Sequence, residues 1–223
     1  MTSLDITSTT APQTRTQAAE IVREYGPYPD APIVHGVTHD GQHVWAAVGE
    51  RLLAIDPASG AVARSLPRHG DAGTAFDGTH LYQLAEARID KIDPATGEVI
   101  ASIPAPGQGR DSGMAWAEGS LWVGQFRERK ILQIDPQSGR VLRSIESNRF
   151  VTGVSWVDGE LWHGTWENEQ SDIRRIDPAS GAVLQRLEMP AGIGVSGLES
   201  DGAELFYAGG GASGKLRAVR RPR

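Results

Sequence analysis

The chain of 223 residues contains no cysteine. That absence excludes a disulfide frame, a zinc–thiolate site and a cysteine nucleophile together. It also has no surplus of basic residues. Its formal net charge is −6, whereas a nucleic-acid partner requires a basic face. No apolar run approaches the length of a membrane span, and residues 1–17 are rich in Thr and Ser without the apolar centre of a signal peptide. The expectation is a cytoplasmic protein with no nucleic-acid and no membrane partner. Residues 1–17 are expected to be a disordered tail. Residues 18–223 suffice for a single domain with its own core.

What the chain has instead is repetition. The pattern Ile-Asp-Pro-x-Ser/Thr-Gly occurs four times, at 55–60, 92–97, 134–139 and 176–181. Pro suits the first corner of a type I turn, and the closing Gly supplies the positive φ of a bulged hairpin. From Asp56 to Asp93, Asp135 and Asp177 the steps are 37, 42 and 42 residues. A second turn signal recurs at Asp40-Gly41, Asp77-Gly78, Glu118-Gly119, Asp158-Gly159 and Asp201-Gly202. Short apolar strands flank every turn. A period of about forty residues made of strands and turns is the mark of a β-propeller.

Five hairpins predict an all-β, five-bladed β-propeller of four-stranded antiparallel blades. The blades span about 31–68, 69–106, 107–148, 149–190 and 191–223. The fifth has three strands only. A strand over about 20–26, Glu20-Ile21-Val22-Arg23-Glu24-Tyr25, resembles the outer strand 182–187, so the segment 18–27 is expected to complete the last blade and close the ring. Trp45, Tyr82, Trp122, Trp162 and Phe206 share one place in the second strands and are read as packing between blades.

The innermost strands open on Gly36, Gly73, Gly113, Gly153 and Gly197, as suits a crowded axis. The residues around those glycines do not repeat. His35, Asp71, Arg110, Asp111, Thr152 and Ser196 form an irregular ring at one mouth of the channel. The ends of the second strands add Gln83, Glu86, Gln125, Phe126, Arg127, His163, Trp166 and Glu167. Convergent polar groups around one concavity make this mouth the candidate site for a small-molecule ligand. In that reading His35 is the base, because an imidazole titrates near neutrality. Asp71 or Asp111 orients it, and Glu167 or Glu86 is the acid. Gln83, Gln125, Arg127, His163 and Trp166 hold the substrate. His69 lies in a connection near the mouth. His35 and His39 share a strand face but stand about 13 Å apart at roughly 3.3 Å per residue, too far to share a metal. No cofactor is specified; a divalent metal, were one bound, would take His35 with Asp71 or Asp111. The segment 209–214, Gly-Gly-Gly-Ala-Ser-Gly, has no helix after it and reads as a hairpin loop, not a phosphate loop.

Across nearly its whole length the chain resembles the plant-type glutaminyl cyclases, five-bladed propellers that close N-terminal glutamine to pyroglutamate. The likeness lies in Leu81-Tyr82-Gln83-Leu84, in Leu161-Trp162-His163-Gly164-Thr165-Trp166 with the following Ile176-Asp177-Pro178 and Gly181, and in Ser213-Gly214-Lys215-Leu216. More distantly it resembles propellers of the virginiamycin B lyase type. The resemblance implies a transferase or lyase acting at the channel mouth. The cyclase family's proton-shuttling Glu, in a Gly-Glu-Gly run, is met here by Asp71-Ala72-Gly73, so glutamine cyclisation itself is not expected. The other reading is a non-catalytic propeller that binds a ligand at the mouth or a protein partner at the rim.

Overall fold

The structure, a computed structural model, describes residues 14–222. Two strands precede the repeats, β1 (Arg15–Ala18) and β2 (Ile21–Tyr25). Blade one is β3 (Val37–His39), β4 (Val44–Ala47), β5 (Leu52–Ile55) and β6 (Val62–Leu66). Blade two is β7 (Thr74–Phe76), β8 (Leu81–Ala85), β9 (Arg88–Ile92) and β10 (Val99–Pro104). Blade three is β11 (Asp111–Ala117), β12 (Ser120–Gln125), β13 (Lys130–Ile134) and β14 (Val141–Glu146). Blade four is β15 (Val151–Val157), β16 (Glu160–Thr165), β17 (Asp172–Ile176) and β18 (Val183–Glu188). Blade five is β19 (Leu198–Ser200), β20 (Leu205–Gly209) and β21 (Leu216–Arg220), with β2 as its outer strand. The expected five-bladed ring is what forms. Among the described residues no helix is long and apolar enough to cross a membrane.

Local chemistry explains the hairpins. In the first Asp-Pro turn, Asp56 Oδ1 accepts from the amides of Ala58 and Ser59 at 2.7 and 3.0 Å, and Gly60 takes φ +80°. Asp93, Asp135 and Asp177 accept from their own turns in the same way. Beside each of these turns the ladder between third and fourth strands slips register, which is the bulge the Gly permits. Three of the other turns are built alike, with Asp40, Asp77 and Asp201 accepting from amides two to four residues on, whereas Glu118-Gly119 and Asp158-Gly159 place both residues at positive φ.

Blades adhere through apolar faces and matched polar clamps. Trp116 stacks on Tyr82 of the preceding blade at 5.4 Å, Trp156 on Trp122 at 5.0 Å, and His39 on Tyr207 at 5.7 Å. The five second-strand aromatics are all buried, as expected. Arg64 of β6 donates to the carbonyls of Pro94 and Ala95 in the next blade's turn. Arg23 of β2 does the same to Pro57 and Ala58 of blade one. The closing strand therefore carries the same clamp as an ordinary outer strand. Its Tyr25 is buried and donates to Pro57 O at 3.0 Å. Its Glu24 pairs with Lys215 and Arg217.

One expectation needs correction. Of the tail predicted over 1–17, residues 1–13 lie outside the described residues, but Arg15–Ala18 form β1. This strand pairs in parallel with β18 and adds a fifth strand to blade four. Thr14 Oγ1 and Ala19 N fasten its ends to Val183 O and Glu188 O. Its side chains are exposed, so what holds it is main-chain hydrogen bonding.

At the axis the five glycines that open the innermost strands meet in a ring. A Cβ on Gly36, Gly73, Gly113, Gly153 or Gly197 would fall under 3.0 Å from backbone of the adjacent blade. The channel thus has a backbone waist, with a mouth on one side and a bore on the other.

Removal of residues 1–27 deletes β2 with its buried Tyr25. Loss of one buried aromatic costs about 3–5 kcal/mol, and at about 2–4 °C per kcal/mol for a chain of this size the melting temperature should fall by roughly 6–20 °C. Removal of residues 1–19 deletes β1 alone and should cost far less. Equal melting temperatures for the two truncations, measured by calorimetry, would show that the ring closes in some other way.

Candidate functional site

Above the waist, the residues just before the glycines and the loops beside them enclose a cavity of about 220 Å³. His35, Asp71, Ala72, Asp111, Ser112, Thr152 and Ser196 line it. Three titratable side chains from three blades thus face one small space.

Each is held differently. His35 is fixed through its backbone, its amide donating to Ala47 O at 2.8 Å. Burial holds its imidazole below the usual histidine range, although the charge of Asp71 opposes this. Asp111 is the first residue of β11. Its Oδ2 accepts from Gly107 N at 2.8 Å and its Oδ1 from Gln125 Nε2 at 3.3 Å. Burial nonetheless pushes its carboxyl upward, outweighing those two bonds and Arg110. Asp71 is more open; its Oδ1 accepts from Glu86 N at 3.3 Å, and its Oδ2 lies 3.5 Å from His69 Nε2. Desolvation pulls the imidazole of His69 down, but Glu50 and Asp71 outweigh it and raise the group above its usual value.

A second cavity of about 410 Å³ adjoins the first, for Thr152 and Ser196 line both. Phe126, Trp166, Val195 and Ala212 give it apolar walls, and Gly192, Gly194, Gly210 and Gly211 give it bare backbone. The hairpin loop expected over 209–214 is therefore part of the mouth.

The structure gathers His35, Asp71 and Asp111 in one cavity, with Gln125 behind Asp111 and Trp166 in the adjoining one. The other expected residues lie elsewhere. Gln83 is 0% exposed and fully engaged: its Oε1 accepts from Thr74 Oγ1 at 2.7 Å and its Nε2 donates to Leu84 O at 2.7 Å. It braces the two inner strands of its own blade and cannot reach a substrate. His163 is likewise sealed between blades, with Nδ1 2.9 Å from Gly164 O and Nε2 without a partner. Burial pushes its imidazole down to about 4. Glu167, expected as the acid, is instead held by Arg129 at 2.5 Å and Arg149 at 3.5 Å, so its oxygens are committed to an ion pair. Glu86 points outward, its side chain 71% exposed and 3.4 Å from Arg88. Arg127 is exposed on the β12–β13 hairpin. Neither Glu86 nor Arg127 lines either cavity. Among the described residues no group of three or more His, Asp or Glu side chains is placed to hold a metal ion.

One polar residue escaped the sequence reading. Glu199, two residues past Gly197, faces the bore just below the waist. Its Oε1 accepts from Ser155 Oγ at 2.7 Å and from Ser200 N at 2.8 Å, and its Oε2 from Thr38 Oγ1 at 3.2 Å. It is only partly exposed, and desolvation by the surrounding protein pushes its carboxyl up to about 7. The signal was available: the matched places in the other blades hold Thr38, Ala75, Ala115 and Ser155, and an acid among such small residues breaks the repeat.

Together these features define a five-bladed β-propeller with a polar cavity at the channel mouth and an apolar one beside it. No protein-family model matches the chain, and no curated protein matches it in sequence. Among solved structures, a glutaminyl cyclase from Myxococcus xanthus is similar with a TM-score of 0.76 at 18% identity, over 93% of this chain and 98% of that one. The β-propeller domain of Cps50 (Swd1) from Myceliophteria thermophila gives 0.57 at 11% identity, over 92% and 100%. Hydrazine synthase from Kuenenia stuttgartiensis gives 0.50 at 20% identity, over 80% of this chain and 56% of that one. At such identities the likeness shows the fold, and it agrees with the glutaminyl cyclase resemblance read from the sequence.

Glu199 yields a pH prediction. Its folded-state value, about 7, exceeds its ordinary 4.5. Between those values the folded chain keeps a proton that the unfolded chain has released, so stability falls as pH rises through this window and is level on either side. The loss attributable to Glu199 is about 3 kcal/mol at most. His35, His39 and His163, whose imidazoles are lowered by burial, act in the opposite direction. They are common to the wild type and Glu199→Gln, so the difference between the two unfolding curves isolates Glu199. That difference should change between pH 4.5 and 7 and then stay constant. A difference independent of pH would show that Glu199 ionises normally.

Proposed function

We propose that this chain is an enzyme that moves protons on a small molecule held at the propeller mouth, a transferase or lyase in reaction class. One observation carries the reading: His35, Asp71 and Asp111 converge from three blades on one cavity, at positions where the repeat prescribes nothing. Burial acts on two of them in useful and opposite senses. It favours the neutral, proton-accepting form of His35 and the protonated, proton-giving form of Asp111. Two titratable groups pushed toward complementary states are the usual basis for assigning a base and an acid. His35 takes a proton from the substrate, and Asp111, steadied by Gln125 and Gly107 N, supplies one to the departing or newly formed anion. Asp71, which interacts electrostatically with His35, stands near the imidazolium that results.

The reaction is not cyclisation of N-terminal glutamine. Ala72 lines the mouth at the place where the glutaminyl cyclase family carries its Glu, and a methyl group transfers no proton. Purified protein should leave a glutaminyl peptide unchanged over a time in which a member of that family converts it fully. Pyroglutamate formation detected by mass spectrometry would refute this and point to Asp71 as the replacement.

The general reading is tested by a metabolite screen, with thermal shift to find ligands and mass spectrometry to see whether they are consumed. Binding to the native state raises its melting temperature. A compound turned over by the wild type should be turned over about 10²–10⁴-fold more slowly by His35→Ala or Asp111→Asn. His43→Ala, at a hairpin turn on the other face, should behave as wild type. Glu167→Ala should lower stability by loss of its ion pairs while sparing the chemistry. A ligand that binds at the mouth and is never altered would favour the non-catalytic propeller.

A further inference from the structure

The mouth is divided by chemistry, and the division says what kind of molecule it fits. The polar cavity carries all three titratable groups. The adjoining cavity is nearly twice as large, and none of the residues lining it is charged. Two of its three hydroxyls are already spent. Ser213 Oγ donates to Gly210 O at 2.8 Å, and Ser196 Oγ donates to Val34 O at 2.5 Å while accepting from Gly211 N. Thr152 Oγ1 is buried, without a partner, on the side of Gly164. A polar or charged body placed there would lose water and regain few hydrogen bonds, a cost of about 1–3 kcal/mol per group.

The walls are suited to something else. Trp166 lies against Gly194, where a Cβ would come 3.2 Å from the indole, so glycine lets the ring settle there. Phe126, braced by Phe150 at 4.7 Å, supplies a second ring, and Val195 and Ala212 supply aliphatic surface. Where glycine lines the wall, a ligand meets flat backbone without projecting side chains. A cavity of about 410 Å³ lies within the range of ligand sites, about 300–1,000 Å³.

The geometry points to a substrate with an uncharged, flat, apolar body that occupies the Phe126–Trp166 cavity and directs one polar, proton-bearing group across Thr152 and Ser196 to His35. This inference rests on the acid–base reading of the mouth and narrows it to aromatic or alicyclic molecules with one polar end. It also accounts for a mouth that differs from one made for a polar glutaminyl peptide. Phe126 and Trp166 are then specificity-determining residues that touch the non-reacting part of the substrate.

The test uses 2-naphthol as probe, titrated calorimetrically into the full-length protein, so no turnover is needed. A ligand of this size that fits should bind at about millimolar Kd or tighter. Trp166→Ala should weaken it about tenfold or more. Ala212→Phe, which fills the cavity from an exposed loop position, should do the same while leaving the melting temperature unchanged. His43→Ala should bind as wild type. No saturable binding to the wild type, binding indifferent to both Trp166→Ala and Ala212→Phe, or glycylglycine binding more tightly than 2-naphthol would each overturn the inference. Because binding is read without chemistry, such a failure leaves the role of His35 to be judged separately by turnover.

Discussion

Five backbones can meet at one axis only if none of them carries a Cβ there. Gly36, Gly73, Gly113, Gly153 and Gly197 meet this condition, and any larger residue would collide with the neighbouring blade's main chain. Glycine inside a strand costs about 0.5–1 kcal/mol relative to alanine. The interblade stacks and buried faces offset that cost many times over. From the waist outward the blades diverge, and the gap fills with progressively larger groups: methyl and hydroxyl side chains at the bore, then the rings of Trp45, Tyr82, Trp122, Trp162 and Phe206. The same waist partitions the axis. Glu199 is enclosed below it, and His35, Asp71 and Asp111 are gathered above it.

The ring and its closure were legible in the sequence because turn chemistry leaves little choice. Asp-Pro with a positive-φ Gly forces a bulged hairpin, and four copies at one spacing fix four blades. The strand β1 left no such trace. Arg15-Thr16-Gln17-Ala18 has no apolar alternation to read, since main-chain bonds to β18 are what hold it. Within the site, legibility followed position in the blade. Residues beside the axial glycines could be placed, because the glycines fix where they are; hence His35, Asp71 and Asp111 could be assigned to one mouth, and they line one cavity there. Second-strand residues could not. In β8, β12 and almost all of β16 both faces are buried, so the period-2 alternation that tells inside from outside vanishes. Gln83 and His163 consequently looked available and are interior. Glu86 and Glu167 were misjudged for another reason. Glu86 takes φ +56° in a tight turn that throws its side chain outward. Glu167 is captured by Arg129, a partner 38 residues away. No local pattern reports such a capture.

Electrostatically the mouth departs from the rest of the surface. Elsewhere carboxylates are satisfied by their own turns or by arginines, as at Asp56, Asp177 and Asp172. Asp172 is almost wholly buried, yet Arg174 and Arg186 keep its carboxyl low against the desolvation that would raise it. Asp111 has only neutral hydrogen-bond donors, an amide and a carboxamide, and there desolvation wins. The contrast separates a structural carboxylate from one left chemically adjustable. Glu199 belongs with Asp111 in this respect, being held by hydroxyls and an amide with no cation among its hydrogen-bond partners.

This arrangement explains how one scaffold can keep its fold and change its chemistry. The glycines cannot vary without collision, whereas the residue before each one lines the mouth, and only some of these, such as Ser112 and Ser196, bond to a neighbouring blade. His35, Ala72, Ser112, Thr152 and Ser196 occupy equivalent places and share neither charge nor size. Exchanging one of them alters the mouth while the waist, the turns and the interblade stacks stand unchanged. A relative with the same five blades can therefore present a Glu where this chain presents Ala72 at almost no structural cost. For that reason likeness of the ring shows the fold, whereas the side chains beside the glycines decide what the mouth can do.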